Sequence, residues 1–379
     1  MITLRVVVDE ILTPTPRGVG RYAEELTREL IRTAPPSCTV EGIVAASPGS
    51  DYDRLHTLLP GLADLHKSSL ARRELSLAWQ HGFTRLAGPG MIHAPSLLAP
   101  LSRHDRVNNM GEQVVVTIHD VIAWSHPDTL PSSHSAWQRA MAKRARKFAD
   151  AIVVPTHSVA AELAEIMDFG DRIRVIPGAV SSKLTLPVDA DERARALGLP
   201  DRYLLAVGSL DSRKGIPSLI EALGHPDAVD LPLFVVGPPA TGDITLQSAA
   251  AAAGLAEGRV TSLGVLDDAD LSVALARATV FVFPSIAEGF GLPVIEAFHF
   301  GTPVVHSDAA AVVEVSAGAG LAVAVDDIAT YPERLSAAIR SVVDNEALAE
   351  RMSFAGRDRA AAFSWRDSAQ RVWQLHADL

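Results

Sequence analysis

Over residues 279–301 a strand, a glycine-rich loop and a helix follow one another without a break, and this module fixes the kind of fold open to the chain. Thr279 to Phe283 is rich in β-branched and aromatic residues, the composition of a strand buried in a parallel sheet. Pro293 stands where a first helical turn tolerates it, apolar residues continue to Phe300, and Gly301 supplies the stop. The intervening loop aims the N–H groups of Phe290, Gly291 and Leu292, with the positive end of a helix dipole, at one point before the sheet. An anion belongs at that point. Glu288 and Glu296 flank it, with seven residues between them. A carboxylate beside an anion accepts hydrogen bonds from hydroxyls, and hydroxyl, phosphate, hydroxyl in a row describes a nucleotide sugar.

The same pattern recurs along the chain. Leu4 to Val8 reads as a strand, followed by a proline-bearing loop over Asp9–Arg17 and a helix opening at Gly18-Val19-Gly20 and running to about Thr33. Backbone at Gly18 and Gly20 can approach a ligand closely if it faces the crevice of a doubly wound sheet. Val40 to Ala45 is a strand, residues 51–69 a polar stretch, and Arg72 to Ala87 a helix; His93 is read as closing the next strand. Val114 to Ile118 delivers His119 and Asp120 to the carboxyl end of the sheet, where an imidazole can donate to a sugar hydroxyl or a leaving oxygen. Tyr203 to Val207 leads through Gly208 to Arg213 and Lys214, a planar fork and a point charge suited to a diphosphate. Asp268-Ala269-Asp270 matches a D-x-D metal motif, but acids in a first helical turn are expected from the dipole alone. No His or Cys cluster suggests a metal.

With 379 residues and 48% hydrophobic content the chain has material for two domains. Single Cys38 excludes an internal disulfide and fits a reducing compartment. Neither a signal peptide nor an 18-residue apolar run is visible, so a cytoplasmic protein is expected. Residues 1–180 carry 19 Lys+Arg and 19 Asp+Glu, and residues 181–379 carry 15 and 26, giving the net −11. Such a balance excludes wrapping of nucleic acid. Over residues 134–150, Arg139, Lys143, Arg146 and Lys147 form a basic helical stripe opposite Trp137, Met141, Ala145 and Phe148. Peripheral contact with an anionic inner-membrane surface is one expectation for it.

E-G-F-G-L-P-V-I-E-A-F-H-F-G-T-P-V-V, from Glu288, resembles the signature of the retaining glycosyltransferases of family four, and the resemblance covers nearly the whole chain, tight around residues 279–305, good at 203–221 and 114–128 and thin in 37–110. It implies the GT-B fold: two Rossmann-like doubly wound parallel-sheet domains facing a central cleft. Residues 1–180 would be the acceptor-side domain, 181–200 a linker, 201–360 the donor domain, and 361–379 a helix crossing back to the first domain. By resemblance Glu288 contacts the donor sugar, Gly289 to Leu292 the diphosphate and Glu296 the ribose. His119, with Asp120, approaches the sugar and phosphate. Gly18 and Gly20 lie beside donor and acceptor, and the main chain near Val265 meets the nucleobase. Many members carry arginine directly after the strand glycine; here that residue is Ser209, so the phosphate role moves to Arg213 and Lys214.

The implied reaction is transfer of a hexose, with retention and without a metal cofactor, to a glycan, lipid-linked or small-molecule acceptor. GDP-mannose is the favoured donor, with UDP- or ADP-glucose next. A GT-B-shaped epimerase and a non-catalytic nucleotide-sugar binder are the alternatives; a nicotinamide dehydrogenase lacks its G-x-G-x-x-G fingerprint.

Overall fold

The computed structural model describes residues 2–13, 18–83, 90–105, 108–109, 111–238 and 245–379. Residues 14–17 of the proline-bearing loop and 84–87 of the helix expected to reach Ala87 lie outside them. The chain divides into two units, 1–178 with 364–379, and 179–363.

In the first unit the strands are β1 (Ile2–Val7), β2 (Cys38–Ala46), β3 (Leu65–Ala71), β4 (Met91–Ala94), β5 (Gln113–Thr117), β6 (Ala151–Val154) and β7 (Ile173–Val175). They form one sheet in the order 3-2-1-4-5-6-7, every described pair parallel. β5 and β6 are buried along their whole length, which accounts for the apolar runs Val114–Val116 and Ala151–Val154 within them. Residues 51–69, read as polar stretch, form instead most of the helix Gly49–Leu58 and the edge strand β3. Because β3 pairs only with β2, alternate side chains face solvent and its sequence stays polar.

The helix Trp365–Asp378 is part of this unit. Ser364 caps it by accepting from Asp367 N at 3.3 Å, Ser368 Oγ donates to the Pro177 carbonyl at 2.8 Å, and Trp373 Nε1 donates to the Leu30 carbonyl at 3.2 Å. Ala369 and Val372 are fully buried. Each large aliphatic side chain so buried contributes about 1.5–3 kcal/mol, so the helix is core rather than tail. Beneath it His93, expected to close a strand, lies inside β4, fully buried, its ring 5.7 Å from that of His376. Burial depresses both imidazoles, His376 to about 4 and His93 well below its usual value.

In the second unit β8 (Leu204–Val207), β9 (Leu233–Val236), β10 (Val260–Gly264), β11 (Val280–Phe283), β12 (Val304–Ser307) and β13 (Leu321–Val323) form a parallel sheet in the order 10-9-8-11-12-13. Apolar clusters cover both faces, one around Phe281, Phe283 and Phe298, the other around Leu219, Ile220, Tyr331 and Ile339. The stretch read as a linker belongs to this unit. Leu184 enters the first of those clusters, and the short helix Ala190–Ala196 buries Ala190 and Ala194 against Val273. Arg193 fastens it, 2.7 Å from Asp270 and 3.0 Å from Asp189.

Both sheets reverse their strand order once, between β1 and β4 and between β8 and β11. Each reversal parts the flanking loops at the carboxyl ends of the strands and opens a crevice there, the usual ligand position of doubly wound sheets.

Candidate active site

In the second unit the loops at the switch point are those after β8 and β11. The first ends in the 3₁₀ turn Ser212–Lys214, capped by Asp211, whose carboxylate accepts from Lys214 N at 3.2 Å. Gly215 follows with φ +66°, and an added Cβ would stand 2.1 Å from the Pro284 carbonyl oxygen. Only glycine allows that approach, and it sets Lys214 against the β11 loop. From the other side, Ile286 N donates to the Arg213 carbonyl at 2.8 Å and Tyr331 OH to the Pro284 carbonyl at 3.2 Å.

Between these loops sits the Glu288 carboxylate. Its Oε1 accepts from Lys214 Nζ at 2.5 Å, Ser285 Oγ at 2.6 Å and Arg213 Nη1 at 3.3 Å. Burial alone raises the carboxyl pKa, but the Lys214 and Arg213 charges, with the Lys214 and Ser285 hydrogen bonds, outweigh it and hold the group below the usual range. Glu288 is therefore ionised at neutral pH. Arg213, 8% exposed, also donates to the Ala287 carbonyl at 2.8 Å.

Helix Leu292–Phe300 starts at Gly291, which is left-handed at φ +91°, and ends at Gly301, left-handed at +75°. Among the described residues no group accepts from the N–H of Phe290, Gly291 or Leu292. Gly289 is buried before them, and Glu296, 4% exposed, is the fifth residue of the helix rather than part of its first turn. Val265 stands 58% exposed just beyond β10. Asp267 caps the helix Asp268–Arg277, accepting from Asp270 N at 2.7 Å, so these acids have structural partners. Among the described residues no group of three His, Cys, Asp or Glu is placed to hold a metal ion.

In the first unit Gly20, His119 and Asp120 line a cavity of about 330 Å³ at the switch point, with Gly18 opening the helix Gly18–Arg32 beside it. Tyr22 on that helix meets the His119 ring edge-on at 4.7 Å and is itself met by Trp365 at 5.4 Å. His119 Nε2 lies 2.7 Å from the Pro95 carbonyl. A carbonyl only accepts, so Nε2 carries the proton and Nδ1 is left as an acceptor. Burial lowers the imidazole pKa, against the opposing pull of the Pro95 carbonyl and the Asp120 and Glu10 charges. In this structure Nε2–H is spent on the Pro95 carbonyl and Nδ1 is the nitrogen left as an acceptor, whereas the sequence reading took the imidazole as a donor. Asp120 Oδ1 accepts from Ile122 N at 3.0 Å and turns the chain into its next helix.

The basic stripe expected over residues 134–150 does not stand free. Arg139 Nε donates to the Ala123 carbonyl at 2.8 Å and Arg146 Nε to the Asp168 carbonyl at 3.1 Å, while Lys143, Arg146 and Lys147 are exposed. No helix among the described residues is long and apolar enough to cross a membrane.

Ser285 was not singled out in the sequence, although the F-P-S run three residues before Glu288 marks it: a hydroxyl at a strand end, within reach of an acid on the same loop. Ser307 supports it from β12, its hydroxyl donating to the Ser285 carbonyl.

Two parallel-sheet units of this kind, each with its site loops at a switch point, define the GT-B class of glycosyltransferases. The comparisons narrow this. A family model described as glycosyl transferases group 1 matches residues 188–359, and one described as glycosyltransferase family 4 matches residues 16–184. The chain belongs to the family-four glycosyltransferases. It is 29% identical to O-antigen chain mannosyltransferase B of Escherichia coli, over 92% of this chain and 93% of the relative. To the MMP alpha-(1->4)-mannosyltransferase of Mycolicibacterium hassiacum it is 28% identical, over 80% and 77%. Among solved structures, Anabaena HepE in complex with UDP-glucose superposes with a TM-score of 0.72 at 17% identity over the whole of both chains, a likeness of fold.

Proposed function

We propose that this glycosyltransferase moves mannose from GDP-mannose to a hydroxyl of a glycan, lipid-linked glycan or small molecule, with retention at the anomeric carbon and without a metal cofactor. The observation that carries the reading is the Glu288 carboxylate, held by Lys214, Ser285 and Arg213 next to the Phe290, Gly291 and Leu292 amides, which have no acceptor among the described residues. All three bonds fall on Oε1, so Oε2 is the oxygen for a donor-sugar hydroxyl.

Departure of the diphosphate builds positive charge on the sugar and negative charge on the leaving oxygens. Preorganised donors at the phosphate are then the main lever on the barrier. Lys214 spends one of its three N–H bonds on Glu288 and keeps two for the diphosphate. Arg213 contributes Nη2, and the Phe290, Gly291 and Leu292 amides add dipolar stabilisation, which makes a divalent cation unnecessary. Glu296 would take the ribose, and the main chain near Val265 the base. His119 would accept from a hydroxyl of the transferred sugar, close to the Gly18–Gly20 backbone. Mannose is favoured by the two mannosyltransferase relatives and by the Arg213-Lys214 pair in place of the commoner arginine. Lipid-linked acceptors would place the enzyme at the cytoplasmic face of a membrane, with the exposed Lys143, Arg146 and Lys147 as the cations to meet it.

Thermal-shift screening against GDP, UDP and ADP, followed by turnover of the matching sugar nucleotide in EDTA and NMR of the product anomer, tests this. GDP giving the largest shift, EDTA-resistant transfer and an α-linked product are expected. Preference for UDP or ADP moves the donor to glucose. A β-linked product ends the retaining assignment, loss of activity in EDTA the metal-independent one. Isomerised donor without acceptor marks an epimerase, and binding without turnover a sensor.

A further inference from the structure

The chain passes from the second unit to the first between Phe363 and Ser364, and the aromatic side chains flanking that crossing pack towards site residues, each within its own unit. Before the crossing, the Phe363 ring meets Phe290 at 5.5 Å with 83° between their planes. Phe290 stands between Gly289 and Gly291, so in that loop its side chain alone can anchor the backbone, and it is 8% exposed. Arg359 lies 4.6 Å over the Phe363 ring and is itself fixed, Nε donating to the Val315 carbonyl at 2.7 Å and Nη2 to the Glu314 carbonyl at 3.0 Å. Phe363 N donates to the Ala360 carbonyl at 3.2 Å, which holds the turn after the helix Glu346–Ala361.

After the crossing, Trp365 opens the final helix, buried, and its ring packs on Tyr22, which packs on His119. The Ser364 cap and the bond from Ser368 to the Pro177 carbonyl fix this helix start. The Tyr22 hydroxyl faces that of Thr117 on β5, yet neither makes a hydrogen bond among the described residues, so Tyr22 acts through its ring. The Pro95 carbonyl holds one nitrogen of His119. One hydrogen bond fixes one atom and leaves the plane of the ring to its packed neighbour.

Resting on the donor reading proposed above, we infer that Phe363 and Trp365 are positioning residues. Phe363 sets the Phe290 amide loop for the diphosphate, and Trp365, through Tyr22, sets the His119 ring for the transferred sugar. The three residues Phe363-Ser364-Trp365 are therefore more than a connection: each ring serves the site residues of its own unit, and the two are separable by what they control.

NMR of the full chain, isotope-labelled at the phenylalanine amides and the histidine ring nitrogens, and titration with GDP and GDP-mannose test the inference. Phe363→Leu should shift the Phe290 amide resonance and weaken GDP and GDP-mannose alike, by about tenfold, while the His119 ring signals stay in place. Trp365→Leu should shift the His119 ring nitrogens and weaken GDP-mannose about fivefold, the worth of one neutral hydrogen bond, with GDP within twofold and the Phe290 amide unmoved. Phe363→Tyr and Trp365→Phe, which keep a ring, should restore both readouts. Should either leucine variant lose its native melting temperature, Arg359→Met and Tyr22→Leu reach the same two targets through the neighbouring side chain. Rings that merely fill core would lower the melting temperature and leave affinities and site resonances as in the native chain; that result, or a His119 signal that follows Phe363→Leu, overturns the inference. A native chain that binds neither GDP nor UDP ends the donor reading instead, and the ligand-free resonances then decide the positioning alone.

Discussion

The Lys214 ammonium lies 2.5 Å from Glu288 Oε1, across 74 residues of chain and between loops that leave two neighbouring strands of one sheet. The cation proposed for the diphosphate and the carboxylate proposed for the donor sugar thus form a single charged unit. Lys214→Ala and Glu288→Ala are each expected to lower the transfer rate by on the order of 10²-fold, about 3 kcal/mol. The double variant should fall little below the worse single one, because both remove the same unit. A product of the two losses, measured in kcat/KM, would mean independent roles. Melting temperature gives a second reading: Lys214→Ala, which leaves a buried carboxylate without its strongest partner, should be less stable than the double variant.

Ser285 controls how firmly that carboxylate stays ionised. Glu288's folded pKa is depressed, so its contribution is present above the ordinary glutamate range and lost as pH falls through the depressed value. Ser285→Ala removes the 2.6 Å donor and should move that loss to higher pH. It should also slow transfer roughly tenfold at neutral pH, since a hydrogen bond to a charge is worth about 1.5–3 kcal/mol. An acid limb of the rate profile that stays in place would show that the hydroxyl does not serve the carboxylate.

Gly215→Ala should destabilise the second unit by about 3 kcal/mol or more, through left-handed strain and a clash with the Pro284 carbonyl. Denaturant melts resolve a change of that size. A native-like midpoint would refute the close approach that places Lys214.

Acid should loosen the first unit through His376. The folded imidazole titrates at about 4 against 6.5 unfolded, so stability is full above pH 6.5, declines as pH falls towards 4 and levels below. The fall amounts to about 3 kcal/mol, and His93, shifted in the same direction, adds to it. His376→Gln should flatten the drop in melting temperature between pH 7 and 4.5; a slope unchanged by the substitution would place the acid sensitivity elsewhere.

How far the sequence carried depended on where each signal lies along the chain. Strand, glycine loop and helix occupy consecutive residues, so the module at 279–301 and its Gly301 stop could be read directly. Edge strand β3 was hidden by its own alternation of exposed polar side chains, and the supposed linker by a composition that does not reveal the burial of Ala190 and Ala194. Arg213, Lys214 and Glu288 were each legible as chemistry. Their convergence on one oxygen was not, because it depends on the backbone approach at Gly215. His93 and His376 meet only once the final helix has docked, and nothing local to either residue announces the other.

The first unit is interrupted in sequence: its sheet is complete by Val175, yet Trp373 and His376, which close that core, are separated from it by all of residues 179–363. During synthesis, which normally lets the amino-terminal domain finish first, the order is inverted. Ribosome-held chains arrested after the second unit has emerged but before Trp373 should resist protease over 179–363 while being cut within 1–178. The earliest part of this protein to be made is the last to become native.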